Sequence, residues 1–330
     1  SVPEPRAYSA GVLNPLGSKA AIDLIPQADL IIWCGSKVSQ NTGMNWTLPT
    51  SEQATITIDF DPLEHGRTFR PTIPLLGDVK ETILSLSQAL AEDWGSGRAR
   101  WLKQIADARD SWEAVKAKEM ESNQLPIQPP RLMAEIEKRL GKDDIVVSDA
   151  SFSAGWISNY LPAKRPGRKF LFARGQGGLG YSVPAAIGAA TVAMKGAHVV
   201  TVAGDGAFSY TVGELATQAM LNLPIINVVV NNGKLGWIHL WQEIFFDNNL
   251  SCDLETQSTV PKYAKAATAM GLNGIFVTSP DEISGALDDA FAHQGPSVIE
   301  VRIDERATPL LSMKRRSEEP ADNSRKRPGQ

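Results

Sequence analysis

Residues 198–208, HVVTVAGDGAF, drive an apolar strand into Gly-Asp-Gly, and residues 224–234, PIINVVVNNGK, drive a second into Asn-Asn-Gly. Runs this continuously apolar suit parallel strands covered on both faces. Between them, Val212, Leu215, Ala216, Ala219 and Met220 fall at i, i+3, i+4, i+7 and i+8, which predicts one amphipathic helix over 211–222 packed on the sheet. Strand, helix and strand of these lengths make a right-handed parallel crossover unit. Both polar signatures must then emerge at the same carboxyl-terminal edge, where open α/β folds bind ligands.

That placement limits the chemistry. Gly204 and Gly206 let backbone approach an anion closely, and the helix that follows offers free N–H groups to phosphate. A carboxylate beside a phosphate repels it unless a divalent cation lies between them. The Asp205 carboxylate, the Asn232 side-chain oxygen and a carbonyl from the Gly233-Lys234 turn are hard oxygen donors of the kind that bind Mg²⁺ or Ca²⁺. Taken alone, Gly-Asp-Gly is explained as well by a helix cap, and Asn232 by a turn. The matched second half favours a metal-bridged diphosphate site.

The rest of the chain organises around this unit. Residues 131–304 alternate strand-like and helix-like runs, which predicts an α/β domain with a parallel sheet flanked by helices. Residues 1–92 show about two strands and two helices, thin for a self-sufficient domain. A charged helix over 98–121 connects the two, and the prolines of QLPIQPPR, 124–131, end it. The expected division is therefore 1–92, a linker over 93–130, a complete domain over 131–312 and a disordered polar tail over 313–330.

Composition closes off other classes. With 33 Lys and Arg against 37 Asp and Glu, the net charge of −4 gives no basic field for nucleic acid. No apolar run reaches the length of a membrane span. Two cysteines, Cys34 and Cys252, suit a reducing compartment, and a cytoplasmic location is expected. Residues 1–11 lack the basic start and apolar middle of a secretory signal, and they carry no initiator Met. GQGGLG, 175–180, fits the dinucleotide fingerprint, but the ribose-binding acid expected about 20 residues on is replaced by the strand HVVTVAG.

Gly-Asp-Gly followed by Asn-Asn, with Asp205 and Asn232 27 positions apart, resembles the cofactor motif of thiamine-diphosphate-dependent enzymes, the group of acetolactate synthase and pyruvate decarboxylase. The resemblance implies that Asp205, Asn232 and the Lys234 carbonyl hold Mg²⁺, and that Mg²⁺ holds the cofactor's diphosphate with Gly204, Gly206 and Ala207 close by. It implies that RGQGGLGYSVPAAIGAA, 174–190, wraps the aminopyrimidine, with Gly177 and Leu179 in contact and Leu179 as the wedge that keeps the cofactor bent. Ala150 and Ser151, at a third strand end, would lie near the diphosphate. NNGKLGWIHLWQEIFF, 231–246, is similar to the acetolactate synthase pattern, which places Trp241 at the substrate pocket, with Trp237 four residues away on the same helical face.

Residues 1–92 resemble the second half of the family's middle domain. The flavin-contacting Arg-Phe-Asp-Asp-Arg-like segment has no counterpart, which argues against FAD. Nor does the pyrimidine-binding domain, whose glutamate drives the cofactor tautomer able to act as a base; Glu214 lies in the scaffold helix. The reading is a subunit of a split carboligase, in which a partner chain supplies that glutamate. Such an enzyme would decarboxylate a small 2-oxo acid such as pyruvate, ligate the enamine to an acceptor carbonyl, and assemble as a dimer or tetramer of heteromeric units. Another thiamine-dependent decarboxylase or acyltransferase, or a non-catalytic cofactor-binding subunit, would carry the same motifs.

Overall fold

The computed structural model describes residues 8–90, 95–163, 169–256 and 259–309. It divides into two compact units, the division falling between Val115 and Lys116. The tail 313–330, expected to be disordered, lies outside the described residues.

In the first unit α1 (Lys19–Leu24) precedes β1 (Leu30–Cys34), β2 (Ala54–Asp59), β3 (Ile73–Leu76) and α2 (Val79–Ala89). The three strands form one parallel sheet in the order β1-β2-β3, with Ile32 opposite Ile56 and Ile58 opposite Leu75. Asp78 starts α2 by accepting hydrogen bonds from the amides of Lys80 and Glu81, as an N-cap carboxylate should. The third strand is one more than the sequence leads one to expect. It is four residues long and contains Pro74, which lacks an N–H and is tolerated because β3 lies at the sheet edge. The long charged helix α3 (Gly95–Met120) follows.

The second unit begins with α4 (Pro129–Arg139), β4 (Ile145–Ser148), α5 (Phe152–Tyr160), β5 (Phe170–Phe172), α6 (Ser182–Val192) and β6 (Val199–Gly204). After α7 (Asp205–Ser209) and α8 (Leu215–Leu221) come β7 (Ile225–Asn231), α9 (Gly236–Phe246), α10 (Tyr263–Ala269), β8 (Asn273–Val277), α11 (Pro280–Ala292) and β9 (Ser297–Arg302). All six strands are parallel, in the order β5-β4-β6-β7-β9-β8. The central β6 and β7 are buried nearly throughout, as their Val- and Ile-rich sequences require of strands covered on both faces. The one polar side chain in the middle of β7, Asn227, is fully satisfied by its neighbours. Its amide donates to Gln218 Oε1 at 2.8 Å and to the Ser297 carbonyl at 3.1 Å, and its oxygen accepts from Thr201 Oγ1.

Two local features differ from what periodicity predicts. The helix expected over 211–222 is broken: α7 starts at Asp205 itself, Thr211 leaves helical geometry at φ −129°, and one 3₁₀ turn over Val212–Glu214 leads into α8. The interruption re-phases the buried face, so Leu215 and Gln218 are buried with Val212 and Ala219 beside them. Ala216 and Met220, expected on that face, are exposed. Helix α5 has no periodic signature because it is buried almost all round, its small Ser153, Ala154 and Gly155 letting neighbours close in on every side.

Candidate functional site

Strands β6 and β7 are hydrogen-bonded neighbours with Gly204 opposite Val230, so Asp205 and Asn232 leave the sheet side by side. Asp205 is 2% exposed, and its carboxylate is held by backbone alone: Oδ1 accepts from the Gly206 amide at 2.8 Å and Oδ2 from the Gly233 amide at 2.7 Å. Burial pushes this carboxyl up to about 6, against the two amide donors and the more distant Arg302 guanidinium, which pull it down. Asn232 Oδ1 accepts from the Lys234 amide at 3.2 Å, and the Lys234 carbonyl accepts from Gly236 at 2.9 Å. Each of these oxygens keeps a lone pair for a ligand.

The two asparagines have separate jobs. Asn231 faces the scaffold: its amide donates to Glu300 Oε1 at 2.8 Å, and its oxygen accepts from the Gly233 amide and from Arg302 Nη1. Glu300 also anchors α10 by accepting from the Ala264 amide, and Arg302 is ion-paired with Glu255. That network sets the turn so that Gly233, at φ +73°, can donate to Asp205. Asn232 is left to line the cavity.

The cavity has a volume of about 490 Å³ and opens at the carboxyl-terminal edge of the sheet. Ala150, Ser151, Gly177, Leu179, Gly204, Asp205, Gly206, Ala207, Asn232 and Lys234 all line it. Thus the structure brings together every cofactor-contact residue read from the sequence. Trp241 is not among the lining residues. It lies one turn further along α9, stacked on Phe245 at 4.8 Å and 6.0 Å from the Trp237 ring; Trp237 lines the cavity, the centres of its ring and that of Phe152 5.6 Å apart in an edge-on contact. Helical spacing puts the two tryptophans on one face but cannot say which turn reaches the opening.

Several contributors escape motif reading. Asp149, fully buried at the end of β4, accepts the amides of Ala150 at 2.9 Å, Gly180 at 3.1 Å and Ser182 at 2.9 Å. Thr211 donates to the Gly180 carbonyl from the other side. The loop is therefore pinned on both sides of Gly180, and Leu179, 41% exposed, borders the cavity. The only visible signal for Asp149 is an acid at a strand end, in VVSDAS. Ser151, read from the sequence, starts α5 at φ 75° and ψ −146°, a strain that its motif does not reveal. Arg174, just beyond β5, also lines the cavity.

A buried carboxylate with no ion-pair partner among the described residues, beside an amide oxygen and a carbonyl lone pair, suits a hard divalent cation. Among the described residues no cluster of three or more His, Cys, Asp or Glu side chains stands in for such a site. Glu214, which the sequence assigns to the scaffold, is exposed and accepts a hydrogen bond from Thr217. Asp205 is the one carboxylate among the described residues that line the cavity.

A parallel sheet that presents an acid and an amide at adjacent central strand ends, over a cavity walled by a glycine-rich loop, defines a diphosphate-binding domain. The chain belongs to the thiamine pyrophosphate enzyme family: residues 149–301 match its C-terminal TPP binding domain and residues 1–86 its central domain. Relatives are named acetolactate synthase large subunits. A probable one from Methanocaldococcus jannaschii is 29% identical over 309 residues, covering 92% of this chain and 51% of its own. The isozyme 2 large subunit of Escherichia coli K12 is 29% identical over 300 residues, covering 90% of this chain and 52% of its own. The chain spans about half the length of the curated relatives it matches. No helix among the described residues is long and apolar enough to cross a membrane.

Proposed function

We propose that this chain is the cofactor-holding part of a thiamine-diphosphate-dependent carboligase of the acetolactate synthase type. The observation that carries the reading is the convergence of Asp205, Asn232 and Lys234 with the Gly177-Leu179 loop on one cavity. When bound, thiamine diphosphate supplies the electron sink for loss of CO₂ from a 2-oxo acid. Asp205, the Asn232 oxygen and the Lys234 carbonyl would hold Mg²⁺, and Mg²⁺ the diphosphate, with Gly204, Gly206 and Ala207 lining the cavity beside them. Ala150 and Ser151 bound the same end from β4. Gly177 would offer backbone to the ring, and Leu179 would be the apolar wedge against it. Trp237 closes the cavity toward α9, and Trp241 supports it by packing on its ring.

In the overall reaction the bond between the donor's carbonyl carbon and its carboxylate breaks and releases CO₂. A new carbon–carbon bond forms to the acceptor's carbonyl carbon, whose oxygen takes up a proton, so no oxidant or reductant is consumed. The proton chemistry needs an acid that hydrogen-bonds the aminopyrimidine. Because Asp205 is committed to the metal end, we place that glutamate on a pyrimidine-binding domain in a partner chain. In this scheme residues 1–92 are half of a middle domain, 93–130 a linker and 131–312 the cofactor domain, in a dimer or tetramer of heteromeric units in the cytoplasm.

Native mass spectrometry of the protein isolated from its own source, with pyruvate turnover assayed on the same sample, tests this. A second chain, bound thiamine diphosphate with Mg²⁺ and a ligation product are expected. A chain that binds no thiamine diphosphate when Mg²⁺ is added would overturn the reading.

A further inference from the structure

A short strap of chain outside the cofactor motif, residues 252–255, lies against the turn that carries two of the proposed cation ligands. It runs antiparallel to that turn, with Asp253 opposite Lys234. The Leu254 amide donates to the Gly233 carbonyl and the Leu235 amide to the Cys252 carbonyl, both at 2.8 Å. Neither Cys252, Asp253, Leu254 nor Glu255 lines the cavity, so the strap supports the turn from outside it.

Peptide geometry says what these two bonds do. A trans peptide unit is planar, with its N–H and C=O pointing opposite ways. The unit joining Lys234 to Leu235 gives its N–H to Cys252, so its carbonyl, the proposed backbone ligand, is turned away from the strap. The unit joining Gly233 to Lys234 accepts from Leu254 through its carbonyl, and its N–H meets Asn232 Oδ1 at 3.2 Å, which orients the second ligand. The strap is held in turn by Glu255. Its carboxylate makes a two-pronged ion pair with the Arg302 guanidinium at the end of β9, with Nη2 donating to Oε2 at 2.9 Å. Paired planar bonds of this kind fix direction as well as distance. The same guanidinium donates to Asn231 Oδ1, which also accepts from the Gly233 amide. Glu255 also closes over Gly233, where an added Cβ would meet its carboxyl carbon at 2.8 Å.

We propose that Glu255 is a positioning residue that, through the strap it anchors, holds the Asn232 and Lys234 oxygens in a rigid arrangement that selects Mg²⁺ over Ca²⁺. This rests on the reading of Asp205, Asn232 and Lys234 as the cation site and says what tunes it. Mg²⁺ demands near-octahedral ligands at about 2.1 Å, whereas Ca²⁺ accepts longer and more flexible coordination. Loosening the strap should therefore cost Mg²⁺ more than Ca²⁺.

The test uses the protein purified from its own source with any chain that accompanies it, stripped of metal with EDTA, as wild type, Glu255→Ala and Glu255→Gln. At saturating thiamine diphosphate, titration with MgCl₂ and with CaCl₂ gives the apparent Kd of each ion from tryptophan fluorescence. Glu255→Ala is expected to weaken Mg²⁺ roughly tenfold and Ca²⁺ by less than about threefold. Glu255→Gln, which keeps one acceptor for Arg302, should fall between Glu255→Ala and wild type. Equal weakening of both ions, or of neither, would overturn the inference and leave the cation site standing. A wild type whose cofactor binding responds to no divalent ion would sink the cation reading and the inference with it.

A second measurement needs neither ligand nor turnover. In EDTA, hydrogen exchange resolved to single amides by mass spectrometry should show Leu235 and Leu254 protected in wild type. In Glu255→Ala both should exchange roughly tenfold faster, with the amides of β7 unchanged. Unchanged exchange at Leu235 and Leu254 would show that Glu255 does not anchor the strap and would overturn the inference. Faster exchange throughout β7 would make Glu255 a contributor to general stability and overturn it equally.

Discussion

The two ends of the cavity are built from the same residue types on opposite plans. At the end that holds Asp205 and Asn232, both side chains are fixed by backbone amides. Asp205 and Asn232 are 2% and 7% exposed, and a Cβ added to Gly206 or Gly236 would meet Leu235 or Asn232 at 2.7 and 2.8 Å. At the end bordered by the 175–180 loop, a Cβ on Gly177 or Gly178 would meet nothing within 4 Å and Leu179 is 41% exposed, while Gly180 is crowded by Tyr210 at 2.9 Å. Gly206 and Gly236 serve close packing and Gly177 and Gly178 serve clearance, while Gly204 beside Asp205 is open and Gly180 is packed against Tyr210 and Thr211. A metal site gains from fixed oxygens in a desolvated pocket. A surface that must receive a flat ring gains from backbone with room above it, provided the loop is tethered elsewhere. Asp149 is that tether.

The largest effect should come from breaking the fixed end. Asp205→Ala should weaken Mg²⁺-dependent thiamine diphosphate binding by at least 100-fold, about 2.7 kcal/mol, measured by titration calorimetry. Undiminished Mg²⁺-dependent binding would remove Asp205 from the metal set. The same residue gives a pH signature in metal-free protein. The folded carboxyl sits at about 6 against an ordinary value near 3.8. Between those values the folded chain holds a proton that the unfolded chain has lost, so this group's contribution to stability falls as pH rises from about 4 to 6. The full swing is on the order of 3 kcal/mol. In EDTA, the melting temperature of wild type relative to Asp205→Ala should therefore drop across that window and recover with Mg²⁺. A gap that stays flat with pH would mean the carboxylate is not desolvated in solution.

The tether at the open end comes next. Asp149→Ala leaves three buried amides without their acceptor, and a loss of about 3 kcal/mol in denaturant stability is expected. Cofactor affinity should fall roughly tenfold, about 1.4 kcal/mol, as the Gly180 turn loosens under Leu179. The conservative Asp149→Asn should retain more of the affinity than of the stability. If Asp149→Ala folds and binds thiamine diphosphate like wild type, the loop needs no tether and the contrast between the two ends fails.

The fixed end is also the legible one. Its strands are long apolar runs, and its ligands sit at strand ends in a spacing that implies adjacency, so Asp205 and Asn232 can be paired from the sequence alone. The loop's contact residues are legible only through family likeness, and its support shows only as an acid at a strand end. Asp149 acts across 31 and 33 residues of chain on backbone amides, which leave no trace in side-chain patterns. The broken helix shows the same limit from the other side. A perfect i, i+3, i+4 pattern over 212–220 loses to a 3₁₀ turn over its first three residues, Val212–Glu214. In the first unit a proline hides β3, because sequence alone does not reveal which strand will lie at the edge.

A smaller effect, with the unusual sign, is expected at Ser151. Its φ of 75° with ψ −146° lies where glycine alone is comfortable, at a cost of roughly 1–3 kcal/mol. Ser151→Gly should therefore stabilise the protein by about 1 kcal/mol in urea, even though glycine at a helix start usually brings no gain. Cofactor affinity is expected to stay within twofold. Destabilisation would show that the Ser151 side chain has a role in holding α5.

The least perturbing change tests the wall between the two ends. Trp241 reaches the cavity only through Trp237, with ring centres 6.0 Å apart, while its other face is stacked on Phe245. Trp241→Leu removes an aromatic contact worth about 0.5–1.5 kcal/mol and lets the Trp237 ring shift. The expected result is a two- to fivefold change in the ratio of products formed from competing acceptors, with thiamine diphosphate affinity unchanged. Trp237→Leu should change that ratio more, since Trp237 itself lines the cavity. If Trp241→Leu has the larger effect, then Trp241 meets the substrate directly once the partner chain is in place. The acceptor's path would then run along α9, outside the wall that this chain provides alone.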